Sequence, residues 1–508
     1  MIPVAAGSMN PGVSGPAHAS LAAFLLGAAT VLGFAPAGLA PLPVLTAAGL
    51  LWLWQGAAAP RRAAALGFAF GLGLFLAGVS WVYVSLHQFG AMPAPLAAIA
   101  TLLFCAFLAL FPALVGYLQA RSGRPLADRQ LLLIPALWVL AEWVRDWIFT
   151  GFPWLTLGYS QAASPLGAYA TLIGVFGVSW LVWLCAGLLL ALARGGRRAA
   201  ALAALALLAG AGYALREIEW TQPQGAPVTV SLLQGNIPQE MKWDEARYAS
   251  TIQLYRRMTA DSAARLTVLP ETAIPRFLDA LDPELLRTLA ATARSHGGDL
   301  IIGLPVRDGP GRYYNSVLGL GTSATQRYDK THLVPFGEFI PPGFGWVLAV
   351  LQIPLSDFSR GSAAQAPLAL AGQKIAVNIC YEDAFGEEII RALPEATLLV
   401  NVSNVAWFGD SLAPHQHLQI AQLRALETGR TMLRATNTGM TAIIDHHGNI
   451  AAALPEFTRG ALNGSAQGRS GATPYVRWGN APVMALALLV CGLFARGRRR
   501  TRGAGTIE

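Results

Sequence analysis

Eight apolar runs divide this chain, and they leave it few possible folds. They lie near residues 19–35, 41–57, 63–85, 93–119, 130–149, 168–193, 198–214 and 479–495. As helices, runs of this size suit a hydrocarbon layer about 30 Å thick. The first two are short and joined by a tight Pro-containing link, so they form either two helices or one re-entrant pair. Charge favours two. With eight spans, the clusters Arg61 and Arg62, Arg121, Arg124 and Arg129, Arg194, Arg197 and Arg198, and Arg496 to Arg502 all fall on one side. The short loops on the other side, near 36–40, 86–92 and 150–167, contain no Lys or Arg. Seven spans would break that agreement. The positive-inside rule then puts both termini in the cytoplasm. A signal peptide cleaved at "FAPAGLA" is the rival reading, but no Lys or Arg precedes the first run, which argues against it.

Composition bears on partners. Only 13% of residues are charged and 54% are hydrophobic, whereas a soluble protein carries about 25% charged residues. The formal net charge of +8 sits largely in the arginine clusters. No basic face interleaved with aromatics is visible, so no nucleic-acid partner is expected.

Between Glu217 and Arg477 charges become frequent and short strand-like runs alternate with helical ones. Strands are expected at 228–236, 265–272, 299–306, 314–321, 374–382, 397–404 and 440–450, and helices at 244–262, 283–297 and 415–430. Such alternation indicates an α/β domain. The expected organisation is a tail over 1–18, a membrane domain of about seven helices over 19–216, the inserted α/β domain over 217–477, a last span over 478–496 and a basic cytoplasmic tail over 497–508.

Three of the four cysteines, Cys105, Cys185 and Cys491, lie inside apolar runs, where a thiol acts as a small hydrophobe. No metal-binding spacing or disulfide framework is visible, and neither metal nor cofactor is expected. Cys380 ends a strand-like run in "VNICYEDAFG". It reads either as a nucleophile on an exposed strand-to-helix turn or as a buried structural thiol. Glu271, in "VLPETAIP", reads either as a solvated turn carboxylate or as a general base for a thiol. The chain holds three lysines, Lys242, Lys330 and Lys374, against 33 arginines. Where Arg is the default cation, a Lys can mark a need for a compact point charge, and Lys330 sits in the dense stretch "YDKTHLVPFGEFIP". Against that reading, the two other lysines also survive.

Taken together and in this order, "LPET", "YDKTHLVPFGEF" and "NICYED" resemble the nitrilase superfamily over roughly 228–455. The resemblance implies an α-β-β-α sandwich. It also implies Glu271 as base, Lys330 as stabiliser of the tetrahedral intermediate and Cys380 as acylated nucleophile. "WVYVSLHQFG" (81–90), "TGFPWLTLGYSQ" (150–161), "QGNIPQEMKWD" (234–244) and "NVSNVAWFGDSLAPHQHLQIAQLRALETGR" (401–430) extend it over nearly the whole chain. With them the chain resembles the apolipoprotein N-acyltransferase family, a membrane-bound branch of that superfamily. This implies a multi-span α-helical protein of the bacterial inner membrane whose nitrilase-like domain faces the periplasm. The implied donor is a phospholipid, and the implied acceptor is a diacylglyceryl-modified apolipoprotein.

Glu338, Tyr381 and Glu382 match family positions around the site. Glu338 is expected to orient Lys330 and Glu382 to hold the loop after the nucleophile, with packing or turn structure as the alternative. Trp243, Trp407 and His415 are candidates for substrate access, and Trp243, His415 and Asn236 equally read as structural. The apolar arm at 341–362, with Trp346 and Leu348, is too interrupted to span and reads either as a lipid-touching cover or as a core helix. Glu142, Arg145 and Asp146 lie near the outer end of the fifth span. Intramembrane charges are functional candidates by default, and a mutually paired cap is the alternative. Two other functions compete: a membrane-tethered amidase that hydrolyses a small amide, and a transporter with a degenerate binding domain. The amidase gives no reason for seven preceding spans. The transporter would tolerate loss of the Glu, Lys or Cys, and its spans show few polar midpoints to form a path.

Overall fold

The computed structural model describes residues 16–57, 59–195, 197–341 and 357–503. Helices occupy Pro16–Thr30, Pro41–Gln55, Pro60–Val79, Ala94–Arg121, Ile134–Arg145, Ala170–Arg194, Arg198–Arg216 and Ala481–Gly503. Each apolar run of the sequence therefore falls on a helix. By length and composition, four helical stretches suit a membrane crossing: Pro60–Val79, Ala94–Arg121, Pro165–Arg194 and Arg198–Arg216. Ala17–Gly33 and Ala481–Arg496 are shorter apolar helices. Leu21, Leu25, Leu103, Leu114, Leu207 and Leu488 stand exposed on these helices. In water such a belt would be a liability, whereas lipid would cover it.

Small residues bring the first, third and fourth of these helices into backbone contact. A Cβ on Gly27 would lie 1.8 Å from the Phe70 carbonyl oxygen, and one on Gly67 would lie 2.3 Å from that of Pro112. Among helices packed in lipid, such close approach supplies the van der Waals contact that the hydrophobic effect cannot.

Among the described residues the α/β domain has fourteen strands. They are β1 (Thr221–Pro223), β2 (Val228–Gln234), β3 (Leu266–Val268), β4 (Asp299–Arg307), β5 (Tyr313–Gly321), β6 (Gln326–Asp329) and β7 (Leu368–Leu370). They continue with β8 (Gln373–Ile379), β9 (Leu398–Ser403), β10 (Met432–Thr436), β11 (Ala442–Ile444), β12 (Ile450–Ala453), β13 (Gly460–Ala466) and β14 (Arg469–Gly471). One six-stranded sheet runs β13-β2-β3-β4-β5-β6 and the other β12-β11-β10-β9-β8-β7. β1 and β14 pair separately, where the chain enters and leaves the domain.

Alternating side chains place the two sheets face to face. Val230, Leu232, Val268 and Ile301 of the first sheet meet Ile375, Val377, Val400 and Leu433 of the second in one core. Each such fully buried side chain contributes about 1.5–3 kcal/mol. On the outer face of the first sheet, Leu300, Ile302 and Leu318 pack with Tyr255, Leu285 and Leu289 of two helices, Glu245–Ala260 and Pro283–Ser295. On the outer face of the second, Leu399, Met432 and Ile444 pack with Leu418, Ala421 and Ala425 of Ala413–Thr428. The fold is thus an α-β-β-α sandwich inserted between membrane helices.

The run at 440–450 is two strands rather than one. Asp445 turns it, its Oδ1 accepting from the N–H groups of His447 and Asn449 at 2.9 Å each, and Gly448 adopts φ +80°. Most of the arm at 341–362, with Trp346 and Leu348, lies outside the described residues.

Candidate active site

Four polar groups meet where strand ends of both sheets converge. Glu271 follows β3, Lys330 follows β6, Cys380 follows β8, and Asn404 follows β9. Lys330 is completely buried, and Glu271 and Cys380 are only 7% and 9% exposed. The Glu271 carboxylate accepts from Asn315 Nδ2 at 2.7 Å and from the backbone N–H of Asn404 at 2.8 Å. Lys330 Nζ lies 3.5 Å from its Oε1 and donates to Glu338 Oε1 at 2.8 Å. Glu338 in turn accepts from Asn315 Nδ2 at 2.8 Å and from the Val334 N–H at 2.8 Å. Glu338 and Lys330 are therefore held by one another and by strand β5.

Burial raises the Cys380 thiol, Glu271 adds to the rise, and Lys330 and Ser403 oppose it; the net result is a pKa of about 12. The thiol is protonated at neutral pH. Burial would also raise Glu271, but Lys330, Lys242, Asn315 and the Asn404 N–H outweigh it and hold the carboxyl below its usual range. Burial would lower Lys330, but Glu338 and Glu271 outweigh it and keep the ammonium charged. The arrangement thus combines an ionised carboxylate, a fixed cation and a neutral thiol. Such a thiol ionises only as its proton is taken, in the same step as attack.

Cys380 adopts φ +54°, a region that non-glycine residues rarely enter and that is held only by its surroundings. The following turn, Cys380–Ala384, is pinned by Glu382. Its Oε2 accepts from the Ile379 N–H at 2.6 Å and from Tyr328 OH at 3.0 Å. Its Oε1 accepts from the N–H groups of Thr331 and His332 at 2.6 and 3.0 Å and from Thr331 Oγ1 at 2.8 Å. One carboxylate therefore ties the Cys380 turn to the segment after Lys330. Removing it in Glu382→Ala leaves buried donors unpaired, and the expected loss is about 3–5 kcal/mol of stability. The check is the denaturation midpoint of the purified protein.

The membrane half reaches this turn directly. Tyr381 OH donates to the Gly151 carbonyl at 3.0 Å, and its ring stacks on Trp154 at 6.2 Å. Tyr159 OH donates to the Ala384 carbonyl at 3.1 Å. The charges on the fifth apolar run explain how this loop is held. Arg145 donates to the carbonyls of Phe152 and Trp154 at 2.6 and 2.5 Å, and Glu142 accepts from the Leu157 N–H at 2.9 Å.

Of the access candidates, Trp243 is 37% exposed. Trp407 packs edge-on against Phe89, and its carbonyl accepts from Ser85 Oγ at 2.7 Å. His415 Nε2 pairs with Glu456 at 3.3 Å, and that hydrogen bond raises its pKa. Asn236, at φ +51°, donates to the Phe457 carbonyl at 2.7 Å, which is a structural contact.

Sequence reasoning passed over Lys242. It is 6% exposed and its Nζ donates to the Glu271 carbonyl at 3.1 Å. Burial lowers it to about 8, with Glu271 and Cys380 opposing. Its rarity was the available signal, since it is one of three lysines.

Among the described residues, Glu219, His446 and His447 offer ligand atoms within 4.8 Å of one another. Arg469 already pairs with Glu219, and its charge opposes a second cation there. These groups join the entering linker, the β11–β12 turn and β14.

Comparison with known proteins matches residues 26–188 to the apolipoprotein N-acyltransferase N-terminal domain and residues 229–475 to the carbon-nitrogen hydrolase domain. An apolipoprotein N-acyltransferase of Nitrosomonas europaea is 54% identical over 95% of this chain and 98% of its own. Those of Methylococcus capsulatus and Chromobacterium violaceum are each 49% identical, over 92% and 94% of this chain and 94% of their own. A solved amidase from Nesterenkonia sp. covers 51% of this chain and 96% of its own, at 18% identity and a TM-score of 0.38.

Proposed function

This chain belongs to the apolipoprotein N-acyltransferase family, and from that premise we propose that Cys380 carries an acyl chain from a phospholipid to the N-terminal amine of a lipoprotein's diacylglyceryl-cysteine. The membership sets aside the tethered amidase and the transporter. The observation that carries the site assignment is the burial of Glu271, Lys330 and Cys380 at converging strand ends.

In the first half-reaction Glu271 takes the Cys380 proton as Sγ attacks the donor's ester carbonyl. The carbonyl oxygen becomes an oxyanion, which Lys330 stabilises. The C–O bond breaks, Glu271 returns the proton to the departing glycerol oxygen, and a lysophospholipid leaves. In the second half the acceptor amine attacks the thioester carbonyl and gives its proton to Glu271. The C–S bond breaks, the proton returns to sulfur, and the product is an amide. Both substrates are anchored in the bilayer, so the nucleophile must lie close to it. The hydrogen bond from Tyr381 to Gly151 supports that closeness.

The reading is tested by mass spectrometry after incubation with phospholipid vesicles. An acyl adduct on Cys380 that disappears when a diacylglyceryl peptide is added supports it. Turnover without any adduct overturns the covalent route.

The proposed topology has eight spans in the inner membrane, both termini in the cytoplasm and 217–477 in the periplasm. Reporter fusions after Gly123 and Gly195 are expected to read cytoplasmic and one after Gly225 periplasmic. A cytoplasmic signal from the last would put the acyl carrier on the wrong side.

A further inference from the structure

We propose that Trp154, His417 and Asp383 are positioning residues that lock the Cys380 peptide in its left-handed conformation, so that the membrane half sets the rate of acylation. The inference rests on Cys380 being the nucleophile.

The Cys380 carbonyl accepts from His417 Nε2 at 3.2 Å and from Asn401 Nδ2 at 3.1 Å. His417 Nε2 also lies 2.6 Å from Asp383 Oδ1. Both neighbours are acceptors, so the Nε2 nitrogen carries the proton. Nδ1 has no hydrogen-bond partner among the described residues. Burial, then Arg434, lowers the His417 pKa and favours the neutral imidazole. Arg434 Nη1 fixes the assembly from below, donating to Asp383 Oδ2 at 2.9 Å and to Asn401 Oδ1 at 2.7 Å. Asp383, His417 and Arg434 are at most 1% exposed.

The link to the membrane half is Trp154. Its ring lies 5.4 Å from the His417 ring, and its Nε1 donates to Gln416 Oε1 at 2.7 Å. Gln416 also accepts from Trp81 Nε1 at 3.3 Å and donates to the Gly78 carbonyl at 3.1 Å. The end of the helix Pro60–Val79, the turn after it and the loop that carries Trp154 thus grip the start of the helix that carries His417. The sequence stretches around Trp81 and Trp154, which the chemistry itself does not use, acquire a role in this way.

A left-handed Cys380 relaxes when its carbonyl loses a donor, because that conformation is held only by its surroundings. A misplacement of about 1 Å at a reacting atom costs roughly 10²-fold in rate. The test measures thioester formation on Cys380 in full-length enzyme reconstituted in phosphatidylethanolamine–phosphatidylglycerol vesicles. His417→Met, which keeps bulk and loses the donor, is expected to slow it by roughly 10- to 100-fold, with the KM for phospholipid changed by less than about twofold. His417→Gln, which keeps an N–H at the reach of Nε2, should recover to within about fivefold of wild type. Trp154→Leu should add little to His417→Met, because the two act on one path. An unimpaired His417→Met, a His417→Gln as slow as His417→Met, or additive losses in the double variant would each overturn the proposal. Should His417→Met not fold, Trp154→Leu is compared with Trp154→Phe, which keeps a ring on His417. A slow Leu variant beside a near-normal Phe variant supports the proposal, and equal rates overturn it. The underlying reading fails separately, through acyl transfer by Cys380→Ala. A dead Cys380→Ala beside an unimpaired His417→Met overturns the positioning role alone.

Discussion

Cys380→Ala is expected to abolish acyl transfer, lowering kcat/KM by about 10⁴-fold or more. The other three thiols, Cys105, Cys185 and Cys491, lie on apolar helices and cannot substitute for it. Cys380→Ser is the sharper variant. It keeps nearly the same volume in a site that is 9% exposed, so the fold should survive, but it replaces the thiol with a far weaker acid. Glu271 can assist a thiol of pKa about 12; a hydroxyl lies several units higher and forms no thioester. The measurement is release of lysophospholipid together with acylation of a diacylglyceryl peptide, with thermal denaturation as the control for folding. Normal transfer by either variant would end the mechanism proposed here.

How much of this was legible in the sequence depended on the range of the interaction. Glu271, Lys330 and Cys380 stand out because each follows a strand within a short motif, and local patterning finds strand ends. The three helices expected in the α/β domain appear as Glu245–Ala260, Pro283–Ser295 and Ala413–Thr428, runs with no Gly and with Pro only in the first turn. Strands β1, β6, β7, β10, β13 and β14, and β12 beyond Ile450, were not visible. β1, β6, β7, β12 and β14 are three or four residues long, at or near sheet edges, where the alternation is lost. β13 is an edge strand of mostly small and polar residues, and β10 is five residues buried on both faces, so neither alternates apolar with polar. The charges at Glu142 and Arg145 were ambiguous because their partners include backbone groups of Phe152, Trp154 and Leu157, and no residue type announces a backbone partner. Asn315 and Asn404 were missed for a related reason. They touch Glu271 from 44 and 133 residues away, and an asparagine near a strand end usually means only a turn. His417 lies in a stretch that resemblance alone had singled out, and its pairing with Asp383 spans 34 residues.

Glu271→Gln is expected to slow thioester formation by roughly 10²–10⁴-fold, and Lys330→Met by a similar factor through loss of the charge facing the oxyanion. Their pH dependences should separate them. In the wild type the base is ionised well below neutrality, because Lys330 and Lys242 hold Glu271 down. Its rate should therefore be nearly flat across neutral pH. In Glu271→Gln nothing accepts the thiol proton, so the residual rate follows the thiolate fraction. That fraction rises about tenfold per pH unit while the pH stays below the thiol pKa. Removing Glu271 also removes a charge that raises the thiol, which shifts the rising limb to lower pH without changing its slope. Lys330→Met keeps the base and should lack that slope, but it leaves Glu271 and Glu338 without the ammonium that lies between them. A loss of thermal stability should accompany its loss of rate. Glu271→Gln carries a smaller structural cost. Asn315 Nδ2 already donates to both Glu271 and Glu338, so the new amide N–H₂ competes with a donor that cannot turn away without facing its oxygen to Glu338. Pre-steady-state thioester formation measured from about pH 6 to 9, across the span in which an unassisted thiolate would rise about a thousandfold, decides the matter. A Glu271→Gln profile as flat as the wild type would show that this carboxylate is not the base.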